Sequence, residues 1–172
     1  DQNTVSWFNA DTAISATHNE LNLEHGTAYY FSVRATDGVE NVSTPGISDG
    51  ITIDTLRPVI NLIAETASED PLFQGSDSSI ALFWGADDDL SGIEHFEFGL
   101  GSSIGATDII DWTDAGTDQS VTITDLNFDE GSTYYGAIRV FDRAGNMTES
   151  HGNGVIIDIT APEPGSGIDI TD

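Results

Sequence analysis

Gly131-Ser132-Thr133-Tyr134-Tyr135-Gly136-Ala137-Ile138-Arg139-Val140-Phe141-Asp142 is the stretch on which the reading of this chain turns. Tyr134, Gly136, Ile138 and Val140 alternate with Tyr135, Ala137 and Arg139, which face the other way. A period of two marks a strand with one face toward a core. The pattern occurs twice. Gly26-Thr27-Ala28-Tyr29-Tyr30-Phe31-Ser32-Val33-Arg34-Ala35-Thr36-Asp37 matches it at an offset of 105 residues. The same offset relates Trp7 to Trp112, Leu21 to Leu126 and Asn41 to Asn146. It becomes 104 at Asp54 and Asp158, and at Pro58 and Pro162, so one residue is lost in the loop between. The period is that of a small β domain, longer than most solenoid repeats.

The phase divides the chain. A unit that closes on Ile-Asp-x-x-x-Pro leaves residues 1–56 as the back half of one module. Residues 57–161 are then a complete module, and 162–172 a linker with the first strand of a further one. Within the complete module, runs of β-branched and aromatic residues between Gly, Asp, Asn and Ser clusters predict seven strands. They fall near 59–65, 78–84, 93–99, 109–112, 119–125, 133–141 and 154–159. Ile80-Ala81-Leu82-Phe83-Trp84 alternates clearly, and no long segment has a helical period. So many short strands in one small unit predict an all-β sandwich.

Composition narrows the function. The 172 residues include 30 acidic side chains and four basic ones, all Arg, for a formal net charge of −26. Nucleic acid is bound through Lys and Arg, so it is excluded as a partner. Anionic membrane surfaces are disfavoured for the same reason. With no Cys, thiol catalysis, Cys–zinc sites and disulfides are impossible. Eight Phe, four Tyr and three Trp supply material for a core. No apolar run approaches the length of a membrane span, and the N-terminus is not a signal peptide. With no initiating Met, the chain reads as a piece of a longer extracellular polypeptide.

These residues resemble the fibronectin type III-like, or bacterial Ig-like, modules found in tandem in large extracellular surface proteins. The resemblance is carried by Trp84, the Phe128-x-x-Gly131-x-x-Tyr134 corner, the Tyr134-to-Asp142 strand and the Arg143-Ala144-Gly145-Asn146 turn. Val155-Ile156-Ile157-Asp158 closes the unit, and Leu23 to Asp37 repeats its latter part. It implies tandem seven-strand sandwiches and a non-catalytic role. The chain is expected to be a spacer in an adhesin, stalk or filament, with neighbouring modules or chains as partners. The alternative is a carbohydrate- or protein-binding accessory module of a secreted hydrolase.

The resemblance also places the second-to-third-strand loop, the loop before the last strand and the incoming linker at one pole. Those segments carry Asp87, Asp88, Asp89, Asp142, Asn146 and Asp54, and the preceding unit adds Glu24. Crowded carboxylates repel unless a hard cation relieves them. Ca²⁺, which takes six to eight oxygens, is therefore the candidate cofactor. The competing reading is a solvated acidic loop, with Asp142 and Asn146 forming Asx turns. Asn41-Val42-Ser43 and Asn146-Met147-Thr148 are glycosylation sequons at equivalent positions, making Asn41 and Asn146 candidate acceptors. His18, His25, His95 and His151 have no metal-ligand spacing, and no Gly-x-Ser-x-Gly elbow occurs.

Overall fold

A computed structural model describes residues 5–66, 69–163 and 165. The strand expected at 166–170 lies outside the described residues. The chain divides into two units, Asp1–Leu56 and Arg57–Asp172.

In the first unit, the earlier copy of the alternating stretch folds as one long irregular hairpin. Strands β1 (Ala28–Tyr29) and β4 (Ile51–Thr52) pair antiparallel, as do β2 (Ser32–Val33) and β3 (Gly46–Ile47). A bridge between Thr36 and Val42 leads to its tip. No second layer covers this hairpin among the described residues. Phe31 and Val33 are 68% and 62% exposed.

The second unit contains β5 (Val59–Glu65), β6 (Phe73–Gln74), β7 (Ile80–Asp87), β8 (Ile93–Gly101) and β9 (Ile110–Gly116). It continues with β10 (Ser120–Ile123), β11 (Thr133–Asp142), β12 (Met147–His151) and β13 (Val155–Ile157). One sheet has the order β10-β7-β5. The other runs β6-β13-β11-β8-β9, with β12 also on β11. All pairs are antiparallel except β13 with β6. The fold is an all-β sandwich.

Alternation puts Ile80, Leu82 and Trp84 of β7 on the inner face of the first sheet. Phe96, Phe98 and Leu100 of β8 oppose them, with Tyr134, Ile138 and Val140 of β11 and Val155 and Ile157 of β13. Trp84 lies 6.1 Å, ring centre to ring centre, from both Phe96 and Phe98. At the corner before β11, Phe128 stacks on Tyr134 at 4.0 Å, and the Tyr134 hydroxyl accepts the Asp129 amide at 3.0 Å. The first unit repeats this corner: the Tyr29 hydroxyl accepts the Glu24 amide at 3.0 Å.

Six of the seven expected strands map onto β5, β7, β8, β9, β10 and β11. The seventh, expected at 154–159, coincides with β13, whereas β12, which precedes it on the same side of β11, was not expected. Ala137 pairs with His151 but Tyr134 with Val155, so one extra residue separates β12 from β13. Such a bulge interrupts the ladder without ending the strand. Gly154 supplies the positive φ of 86° that the interruption uses. β6 was not expected: two residues leave no period to read.

Trp84 is 2% exposed at the centre of this core. Trp84→Ala is expected to destabilise the second unit by about 3–5 kcal/mol. Urea unfolding followed by circular dichroism measures the loss.

Candidate metal centre

The acidic pole of the second unit is built by two connections, one between β7 and β8 and one between β11 and β12. They are tied together: the Arg143 amide donates to the Gly92 carbonyl at 3.1 Å, and Arg143 Nη1 to the Ser91 carbonyl at 3.3 Å. Gly92 has φ +78°, so the chain turns there in the left-handed region.

Asp142 ends β11 with its side chain inward and is fully buried. Its Oδ1 accepts the Ala144 and Asn146 amides at 2.9 and 2.8 Å, and its Oδ2 accepts Asn146 Nδ2 at 2.8 Å. Asp37 does the same in the first unit. Its Oδ1 accepts the Val39 and Asn41 amides, both at 2.9 Å, and its Oδ2 accepts Asn41 Nδ2 at 2.8 Å. The Asn41 side-chain bond, followed by the backbone bonds from Asn41 and Val39, holds the Asp37 carboxyl below its usual range. Both sequon asparagines therefore serve the turn as donors.

Asp88 is the second carboxylate of the pole. Its Oδ2 accepts the Gly92 amide at 2.6 Å and the Leu90 amide at 3.2 Å. Its Oδ1 is buried and has no hydrogen-bond partner. Carboxylate oxygens of Asp88 and Asp142 lie within 4.8 Å of each other. These clustered acidic groups could hold a metal ion, because two hard oxygens at that separation can share one. Asp87 is engaged elsewhere: its Oδ2 accepts Asn61 Nδ2 at 2.8 Å. Asp89 is exposed.

The other candidates belong to the first unit. Asp54 Oδ1 accepts the Leu56 amide at 3.1 Å and lies 3.4 Å from His25 Nδ1, which accepts the Thr55 amide at 3.1 Å. Glu24 is exposed. The histidines of the second unit stand apart. His95 stacks on Phe141 at 4.4 Å, and His151 Nε2 lies 3.6 Å from Glu149.

One feature was hidden in the repeat. Arg139 lies over the Trp112 ring at 3.9 Å and also bonds Glu149 at 2.8 Å. Arg34 lies over Trp7 at 4.4 Å. The 105-residue offset relates both members of the pair, so the same contact recurs at equivalent positions of the two copies. Trp7 and Trp112 thus serve sheet faces, and Trp84 alone of the three tryptophans enters the core.

No family model matches the chain. Exoglucanase B of Cellulomonas fimi is 27% identical over 161 residues, covering 88% of this chain and 13% of that protein. The chain therefore spans a small part of this curated relative. The crystal structure of the FN1–FN3 domains of chicken CNTN1 aligns with a TM-score of 0.49 at 15% identity. That alignment covers 82% of this chain and 46% of the other. No helix among the described residues is long and apolar enough to cross a membrane.

Removing the Asp142 carboxylate strands the donors of its turn. Asp142→Ala is expected to cost about 2 kcal/mol, with Asp142→Asn, which keeps an acceptor oxygen, losing less. Chemical denaturation of the two variants gives the order.

Proposed function

We propose that the chain is a non-catalytic spacer of a long extracellular protein built from repeated sandwich modules. The observation that carries this reading is what the two copies have in common. Both keep the tyrosine corner, the Asp–Asn turn and the arginine stacked on tryptophan. Each of these holds strands and turns in place, and together they describe a scaffold rather than a ligand site.

In this reading residues 1–56 are the back half of a module, 57–161 a whole one, and 162–172 the start of the next. The exposed face of Phe31 and Val33 would be covered by a front half, from the parent polypeptide or a neighbouring chain. The positions one repeat later argue for this: Gly136 and Ile138 are buried by an opposing sheet. Ca²⁺ would stiffen each joint. Asp88 and Asp142 are its first ligands, with Asp87 and Asp89 in the same loop. Asp54 qualifies because it lies only four residues ahead of Pro58 in the chain, and Glu24 is the further donor from the preceding unit. Asn146 contributes by fixing Asp142.

A second reading is favoured by the similarity to Exoglucanase B. A segment matching 13% of a long enzyme fits an accessory module of a secreted hydrolase. There the same spacer would separate other domains, or bind carbohydrate itself. An address outside the cell, on a surface or in the medium, is common to both readings.

Calorimetric titration with Ca²⁺ is expected to give heat with the intact chain. At a hundredfold excess over the dissociation constant, binding adds about 2.7 kcal/mol of stability. Asp88→Asn with Asp89→Asn is expected to remove both effects. An intact chain with neither heat nor a thermal shift ends the calcium assignment. On insoluble cellulose a spacer stays in the supernatant, whereas retention would move the reading to a carbohydrate-binding module.

A further inference from the structure

Glu65 closes β5 at an inward position. It pairs with Leu82, a core residue of β7, so its side chain enters the space between the sheets. Glu65 and Asp142 are the buried charged residues of the described chain, each 0% exposed. Asp142 is satisfied by its turn, and Glu65 is not. Its Oε1 accepts the Gly136 amide of β11 at 2.9 Å, while its Oε2 is buried without a hydrogen-bond partner.

The charges around it give no compensation. Asp70, after β5, faces it and accepts the Glu65 amide at 3.1 Å. On β11, Arg139 points to the outer face, toward Glu97 and Glu149. On β12, His151 is directed to Glu149. β7 offers Leu82. The chain has no Lys, and Arg143 is engaged with the Ser91 carbonyl.

Room for this carboxyl is made by two glycines. A Cβ on Gly152 would overlap the Glu65 carboxyl. A Cβ on Gly136 would come within 3.0 Å of Leu82 Cδ2 and 3.5 Å of Glu65 Oε1. The two are joined by a backbone bond, Gly152 amide to Gly136 carbonyl, at 2.9 Å. In the first unit the matching bond runs from the Ser48 amide to the Phe31 carbonyl, also at 2.9 Å. The socket is therefore peculiar to the second module: Phe31 and Ser48 replace the glycine pair.

We propose that Glu65 is a proton-operated pin of this sandwich. When protonated, it fills the glycine socket as a neutral group that joins β5 to β11 and the β12–β13 corner. When ionised, it places an uncompensated charge between the sheets and loosens that corner. Burial, with Asp70 beside it, raises the Glu65 carboxyl above its usual range, against the opposing influence of the Gly136 and Gly154 amides. The native state then keeps a proton that the unfolded chain has released. This stabilisation is complete below the unfolded value and is lost as pH rises through the raised native one. The module is tightest in mildly acidic surroundings.

The test is thermal melting of the full chain from about pH 5 to about pH 8, beside Glu65→Gln, the isostere of the protonated acid. The wild-type transition of the second unit is expected to fall by about 4 °C or more relative to the variant across this range. Parallel profiles overturn the proposal. Should Glu65→Gln fail to fold, carbon-13 NMR of the wild-type Glu65 carboxyl decides. Titration well above the other carboxylates supports the pin, and titration among them overturns it.

Discussion

Burial of one face of β11 and β8 against β7 is the constraint on which the second unit depends. Trp84 fills the middle of that contact, with Phe96 and Phe98 on its opposite side. Strands of this kind have no stability as a single layer, because their apolar face needs a second sheet. The first unit illustrates the point. Its hairpin carries the alternation of β11, yet Phe31 and Val33 remain open where Ile138 is 1% exposed.

Acidic charge is tolerated in this chain by three arrangements. Most carboxylates are in water, where their repulsion keeps an acidic chain soluble. Asp142 is buried but surrounded by donors from its own turn, so its charge is solvated by backbone. Glu65 is buried with one donor bond and one unpartnered oxygen. A buried carboxylate without a cation is costly. The glycine pair at 136 and 152 is the local adjustment that accommodates it. These differences explain why a count of acids says little about where charge matters.

Much of the fold was legible. The alternation at Ile80–Trp84 and Tyr134–Val140 determined which side chains face inward, and the strand expected over 59–65 coincides with β5. The turn at Asp142–Asn146 was legible as an Asx turn because its donors are local. Two features were not. β6 is held by a parallel pairing with β13, far away in sequence, and β12 joins β11 ahead of β13 across one extra residue. At the acidic pole, the three-Asp run was visible, but Asp87 turns to Asn61 on another strand while Asp88 approaches Asp142.

By itself, the sequence determined the all-β class, the internal match at an offset of 105 residues and, with no Cys, the exclusion of thiol chemistry. These follow from period, spacing and composition, which are local or additive properties of the chain. Only the tertiary structure decided which acids matter. Glu65 looks like any other acid until β5 is paired with β7, when register turns it inward onto Gly136 and Gly152. Likewise Arg139 becomes the partner of Trp112 only when β9, β8 and β11 lie side by side. Residues distant in the chain acquire their chemistry from pairing and burial, and neither is written in local periodicity.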